Sequence, residues 1–207
     1  MSIKESSDEL NPPVVVSDSA LPEPQRAQAR QDKWALAIAT CGVGYLPLAP
    51  GTWGSLIGVG VYLTLNLLVY RVLPLPSGFV LGFPLEAIRL VLFVLSLLMM
   101  VVVISIIGAR AATRVERLSN RKDPGIVVID EVAGQLLTFC LTPEPLAAKW
   151  VLLGFGLFRF FDIVKPYPAR RFEAMHGGAG VIADDLVAGW YAAIVLSAAV
   201  AISNFVV

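Results

Sequence analysis

Three short stretches of this 207-residue chain gather the residue types that do chemistry. DPGIVVIDEVAGQ, residues 123–135, sets Asp130 beside Glu131. FRFFDIVKP, residues 158–166, carries Arg159, Asp162 and Lys165. HGGAGVIADDLVAG, residues 176–189, carries Asp184 and Asp185. Each carboxylate sits among apolar neighbours, at the end of an apolar run. Ionisable groups at the edge of hydrocarbon are costly, and the default reading for them is a functional site. Their charge has to be offset by a partner or a metal. A ligand set made only of oxygens suits a hard cation such as Mg²⁺. Arginine and lysine beside such a cation suit a phosphate group.

Spacing sharpens this reading. Arg159, Asp162 and Lys165 fall at i, i+3 and i+6, which predicts one helical face, ended before Pro166. Glu131 and Gln135, four apart, share another face. Ala133, Gly134, Ala188 and Gly189 flank the carboxylates and let helices approach closely. Other phosphatase chemistries are excluded. Neither Cys41 nor Cys140 is followed six residues later by arginine, and the single histidine, His176, rules out a two-histidine mechanism. No DxDx[TV] segment occurs. A metal-activated water is the economical route to hydrolysis, with an aspartyl phosphate as the open alternative.

The elements that must position these residues belong in a membrane. Mean hydropathy is +0.74, and only 15% of residues are charged, against about 25% in soluble domains. The formal net charge is zero, so no basic excess points to nucleic acid. Residues 1–33 hold four prolines and ten charges and are expected to form a disordered cytoplasmic tail. Residues 34–207 form the membrane domain. A short helix is expected at about 33–41, an irregular loop at 42–54, and spans over residues 53–73, 90–109 and 186–207. The last two runs hold 20 and 22 uncharged residues, matching the ~20 needed to cross hydrocarbon. The middle runs, 132–143 and 150–158, are short, and predict a helical pair that either crosses or dips partway. The fold class expected is all-α, a polytopic membrane protein with about three to five embedded helices. Lys and Arg crowd the segments before residue 34, after Ala109 and after Phe158. The positive-inside rule places those segments, and the site with them, in the cytoplasm.

At these residues the chain resembles the phosphatidylglycerophosphatase A family. Four blocks carry the resemblance: LAPGTWGS at 48–55 and the three acidic stretches above. It covers about residues 34–204. It implies a bacterial inner-membrane enzyme that uses Mg²⁺ to remove the terminal phosphate of phosphatidylglycerophosphate, giving phosphatidylglycerol. The acidic positions carried over are Asp130, Glu131, Asp162, Asp184 and Asp185, as metal ligands or catalytic groups. Arg159 and Lys165 are the basic positions that hold phosphate, and Asp123 matches as well. The 42–55 loop, with Gly51, Thr52 and Ser55, is expected to bind phosphate and shape the headgroup pocket. Two competing readings are a phosphatase of another lipid phosphomonoester and a cation transporter using the clustered carboxylates. The transporter would want charges near the bilayer midplane, where the uncharged runs have none. A lipid phosphotransferase would carry a DGxxAR segment, which is absent.

Overall fold

The computed structural model describes residues 23–47, 49–72, 78–80, 83–142, 146–173, 175 and 177–206. The described residues are almost all helical. The elements are α1 (Glu23–Thr40), α2 (Pro50–Leu67) with a π turn at Leu68–Val72, β1 (Phe79–Val80), β2 (Phe83–Pro84), α3 (Leu85–Ser119), α4 (Ile129–Thr138), α5 (Ala148–Val164), α6 (Ala169–Glu173) and α7 (Gly178–Val206). The two strands pair antiparallel in a two-residue ladder.

Three helices, Pro50–Arg71, Leu85–Ser119 and Gly178–Phe205, are long and apolar enough to cross a membrane. Their outward faces are apolar: on α3, Leu92, Leu95, Met99 and Val102 are all exposed. Exposed apolar surface on this scale needs lipid rather than water.

Several boundaries differ from the sequence expectation, each for a local reason. α1 begins at Glu23, so the last eleven residues of the expected tail are helical; Ala, Gln and Arg there are good helix formers. Residues 1–22 of that tail lie outside the described residues. α2 begins at Pro50 rather than Trp53, because proline is favoured in a first turn where its missing N–H is not needed. α3 outruns its uncharged core by ten residues, to Ser119. Those extra turns bury Ala111, Ala112 and Val115 in a cluster with Ala39 of α1 and Val181 and Ile182 of α7. Arg114 Nε donates to Asp32 across the same contact. Asn120, in the left-handed region at φ 49°, ends the helix.

Neither helix of the middle pair, α4 or α5, is among the three described helices long and apolar enough to cross a membrane. α4 has ten residues, about 15 Å of helix, half the ~30 Å of hydrocarbon. It packs between α2 and α7, and α5 packs beside α7. The start of the α5 segment reaches well along α2, where the Leu146 N–H donates to the Tyr62 hydroxyl at 3.4 Å. Tyr62 is twelve residues along α2 from Pro50, or about 18 Å at 1.5 Å per residue. At that level Tyr62 stacks on Phe139 with centroids 4.3 Å apart, and Phe93 meets Tyr62 edge-on at 6.1 Å. This aromatic core fills one end of the bundle and leaves the helix ends that carry carboxylates at the other.

Candidate active site

The site is built where the starts of α2 and α4, the end of α5 and the second turn of α7 converge. α4 opens at Ile129, so Asp130 and Glu131 occupy its first turn, where the helix dipole favours negative charge. α7 starts eight residues before its uncharged run, so Asp184 and Asp185 lie inside the helix rather than at its start. Two glycines then set the approach. A Cβ on Gly189 would fall 2.3 Å from the Gly134 carbonyl oxygen, and one on Gly134 would fall 2.6 Å from the Asp185 carbonyl oxygen. Only residues without side chains let α4 and α7 come this close. The approach brings Asp185 to Asp130 and Glu131, and one oxygen from each of the three lies within 4.8 Å of the others.

α2 closes the site from the side. A Cβ on Gly51 would lie 2.1 Å from Glu131 Oε1 and 2.9 Å from an Arg159 guanidinium nitrogen. The first turn of α2 therefore rests on both side chains, and no side chain caps it. An uncapped helix start turns backbone N–H groups and positive dipole outward, which favours anions. Ala49, just before it, is held in the left-handed region at φ 56°.

The five carboxylates expected as one ligand set divide into two groups. Asp130, Glu131 and Asp185 converge. Asp162 and Asp184 each face a cation: Asp162 Oδ2 is 2.7 Å from Arg159 Nη1, and Asp184 Oδ2 accepts from Lys165 Nζ at 2.6 Å. Lys165 departs from the expected helical face. It is the C-cap of α5, left-handed at φ 46°, with its N–H returned to the Phe161 carbonyl as in a left-handed helix cap. Its ammonium consequently turns to α7 instead of lining up with Arg159 and Asp162. Asp162 is still close enough to Glu131 and Asp185 to act on both electrostatically.

Burial, then the adjacent Glu131 and Asp185, pushes the Asp130 carboxyl well above the ordinary carboxylate range. Glu131 is raised as well, mainly by burial, with Asp162 raising it further and Arg159 opposing. Asp130 Oδ1, Glu131 Oε2 and Asp185 Oδ2 are buried without a hydrogen-bond partner. Buried like charges with unpaired acceptor oxygens are an expensive arrangement. A hard cation satisfies every part of it, and the donor set is the oxygen-only set that such a cation takes. The residues fit a divalent metal.

The remaining expected positions are placed as follows. Gly51 and Thr52 are half-buried in the first turn of α2. Ser55 is fully buried, and its hydroxyl donates to the Gly51 carbonyl at 2.8 Å, so its proton is taken up inside its own helix. Asp123 acts electrostatically on Asp130 and Asp184, and its N–H donates to Glu116 Oε1 at 3.0 Å. Beside it an open recess of about 510 Å³ is rimmed by Arg121 and Lys122. His176 lies outside the described residues. Sequence reasoning did not single out Gly54 and Gly58, whose Cβ atoms would meet Val128 and Gln135. Their spacing with Gly51 along α2 was the available signal.

The family model for phosphatidylglycerophosphatase A matches residues 36–200. A phosphatidylglycerophosphatase A of Haemophilus influenzae is 33% identical over 160 residues, 76% of this chain and 82% of the relative. The Escherichia coli K12 protein of the same name is 30% identical over 158 residues, 75% of this chain and 77% of the relative. A candidate phosphatidylinositol-3-phosphatase of Bacteroides thetaiotaomicron is 33% identical over 159 residues, 76% of this chain and 87% of the relative. No solved structure matches.

Proposed function

The chain belongs to the phosphatidylglycerophosphatase A family, and on that premise we propose that it removes the terminal phosphate of phosphatidylglycerophosphate in a Mg²⁺-dependent hydrolysis, giving phosphatidylglycerol for phospholipid biosynthesis. The reading is carried by one observation: Asp130, Glu131 and Asp185 converge within 4.8 Å at the end of the bundle where Arg159 and the uncapped start of α2 also meet. In this reading the site faces the cytoplasm across a bacterial inner membrane. Arg110, Arg114, Arg117, Arg121 and Lys122 lie at that end, as the positive-inside rule requires.

The division of labour follows from the contacts. Asp130, Glu131 and Asp185 hold the cation, which when bound supplies positive charge against the phosphate and eases deprotonation of a water nucleophile. Arg159, oriented by Asp162, takes phosphate oxygens with its planar fork. The first-turn N–H of α2 at Gly51 adds a donor and the positive end of the dipole, while the Thr52 N–H is taken up by the Ala49 carbonyl at 2.9 Å. Ser55 stiffens that turn from within. Lys165, oriented by Asp184, offers a second cation and a proton donor for the departing glycerol oxygen. Donors held in place before reaction stabilise the charge that develops in the transition state. The recess beside Asp123, with Arg121 and Lys122, receives the headgroup while the acyl chains stay in lipid.

The test is phosphate release from phosphatidylglycerophosphate by detergent-purified protein, with Mg²⁺ and with EDTA, beside Asp185→Asn. Release that needs Mg²⁺ and is lost in the variant is expected. A fully active Asp185→Asn protein, or release undiminished by EDTA, would overturn the site. The Bacteroides relative supports a second reading, a phosphoinositide monoester, and this lipid belongs in the same assay. Faster turnover of it would replace the substrate and keep the chemistry.

A further inference from the structure

One buried polar side chain stands outside this division of labour. Gln135 is fully buried, and both polar atoms of its carboxamide lack a hydrogen-bond partner. An unpaired amide in such a place lowers stability, so an apolar residue would serve packing better. Its position is specific. Glu131 and Gln135 lie one turn apart on α4, and both face the glycine edge of α2. A Cβ on Gly54 would lie 3.3 Å from Glu131 Cβ, and one on Gly58 would lie 2.8 Å from Gln135 Cβ. Along this groove two polar atoms are buried without a hydrogen-bond partner: Glu131 Oε2, an acceptor, and Gln135 Nε2, a donor. Side chains at i and i+4 on a helix can meet. Gly58 provides the space in which the glutamine sits.

We propose that Gln135 is a positioning residue for the divalent-cation site: when the cation is held, its Nε2 turns to donate to the Glu131 carboxylate one turn away and keeps it facing Asp130 and Asp185. The inference rests on the proposed metal site. Partners one layer behind a ligand fix its orientation, and their loss typically weakens metal affinity about 10–100-fold. The carboxamide suits this position because it donates to a carboxylate without adding charge. A glutamate at 135 would bring a further negative charge into a cluster that already lacks compensation, and a methionine keeps the volume and removes the donor.

The experiment measures thermal unfolding of the full-length protein in detergent across a Mg²⁺ titration, for wild type, Gln135→Met, Gly58→Ala and Asp185→Asn. Phosphate release is followed over the same Mg²⁺ range. In Gln135→Met we expect an unchanged or raised melting temperature in EDTA. Half-maximal Mg²⁺ stabilisation should need roughly 10–100-fold more metal, and kcat at saturating Mg²⁺ should stay within a few-fold. Gly58→Ala, which displaces the glutamine without removing it, should weaken the Mg²⁺ response in the same direction. A Gln135→Met protein that melts lower in EDTA but keeps the wild-type Mg²⁺ midpoint would assign the residue to packing and overturn the proposal. So would one that matches wild type in both respects. If wild type itself shows no Mg²⁺ shift, or Asp185→Asn keeps it, the metal site fails first and the proposal falls with it. That failure is distinct, because it appears in proteins whose Gln135 is intact.

Discussion

The two ends of α4 lie in opposite environments. At its C-terminal end Phe139 is fully buried and stacked on Tyr62, with Leu97, Leu136 and Leu196 filling the space around them. At its N-terminal end, two turns away, Asp130 and Glu131 face Asp185 with unpaired oxygens. One half of the hairpin is stabilised by packing, and the other is held against its own electrostatic preference by that packing. Strain of this kind persists where the surrounding structure over-determines it, and such places cluster at functional sites. The glycine crossing at Gly134 and Gly189 is the joint between the two halves.

If that contrast is right, changes at the two ends should separate activity from stability. The largest effect is expected at the acidic end. Asp185→Asn should lower kcat/KM by at least ~10²-fold, the scale of losing one preorganised electrostatic element. Its melting temperature in EDTA should be unchanged or higher, because one of three crowded charges is gone. A large loss of stability without metal would break the contrast. Next comes the aromatic end, where Phe139→Ala should cost ~3–5 kcal/mol. Protein that stays folded at low temperature should keep the wild-type Mg²⁺ midpoint, read by phosphate release against Mg²⁺ concentration.

The joint should respond in both readouts at once. Gly189→Ala forces a methyl to within 2.3 Å of the Gly134 carbonyl oxygen. Overpacking of this type costs about 1–3 kcal/mol, and moving α7 off α4 should also draw Asp185 from the site. Melting and turnover measured on the same preparation would check this, and turnover unaffected by a lowered melting temperature would separate the joint from the site.

The smallest effect is a pH dependence of opposite sign to the usual one. Asp130 and Glu131 have folded-state pKa values raised above their ordinary range by burial. Between the unfolded value, near 4, and the raised one, the folded state binds more protons than the unfolded state. The contribution of these two groups to metal-free stability is therefore greatest at low pH and is lost as pH rises through that window. Mg²⁺ needs the ionised forms, so its stabilisation should grow over the same interval. Melting temperatures in EDTA and in Mg²⁺ across pH 4.5–8 should diverge as pH rises, and parallel curves would count against a metal at this position.

Much of the candidate site was legible in the sequence, because carboxylates inside apolar runs announce themselves locally. Asp130, Glu131, Asp184 and Asp185 stand out by type and neighbours alone. What was not legible is how they sort. Five carboxylates in a row of motifs look equivalent, yet Asp162 and Asp184 are matched to Arg159 and Lys165 while the other three are left facing one another. Lys165 read as a helical residue by its i+6 spacing, but the left-handed cap that ends α5 turned it onto α7.

By itself the sequence determined the helical membrane class, through uncharged runs long enough to span hydrocarbon. It also determined the identity of the chemistry-bearing blocks. These are properties of consecutive residues, set by hydropathy, helical period and proline. Only the tertiary structure decided that α4 stops at ten residues and packs beside α2, that Gly51 seats the start of α2 on Glu131 and Arg159, and that Asp185 rather than Asp184 completes the acidic trio. Those outcomes depend on which glycine meets which backbone between helices more than fifty residues apart in sequence. Close packing of that kind is long-range, and no local pattern encodes it.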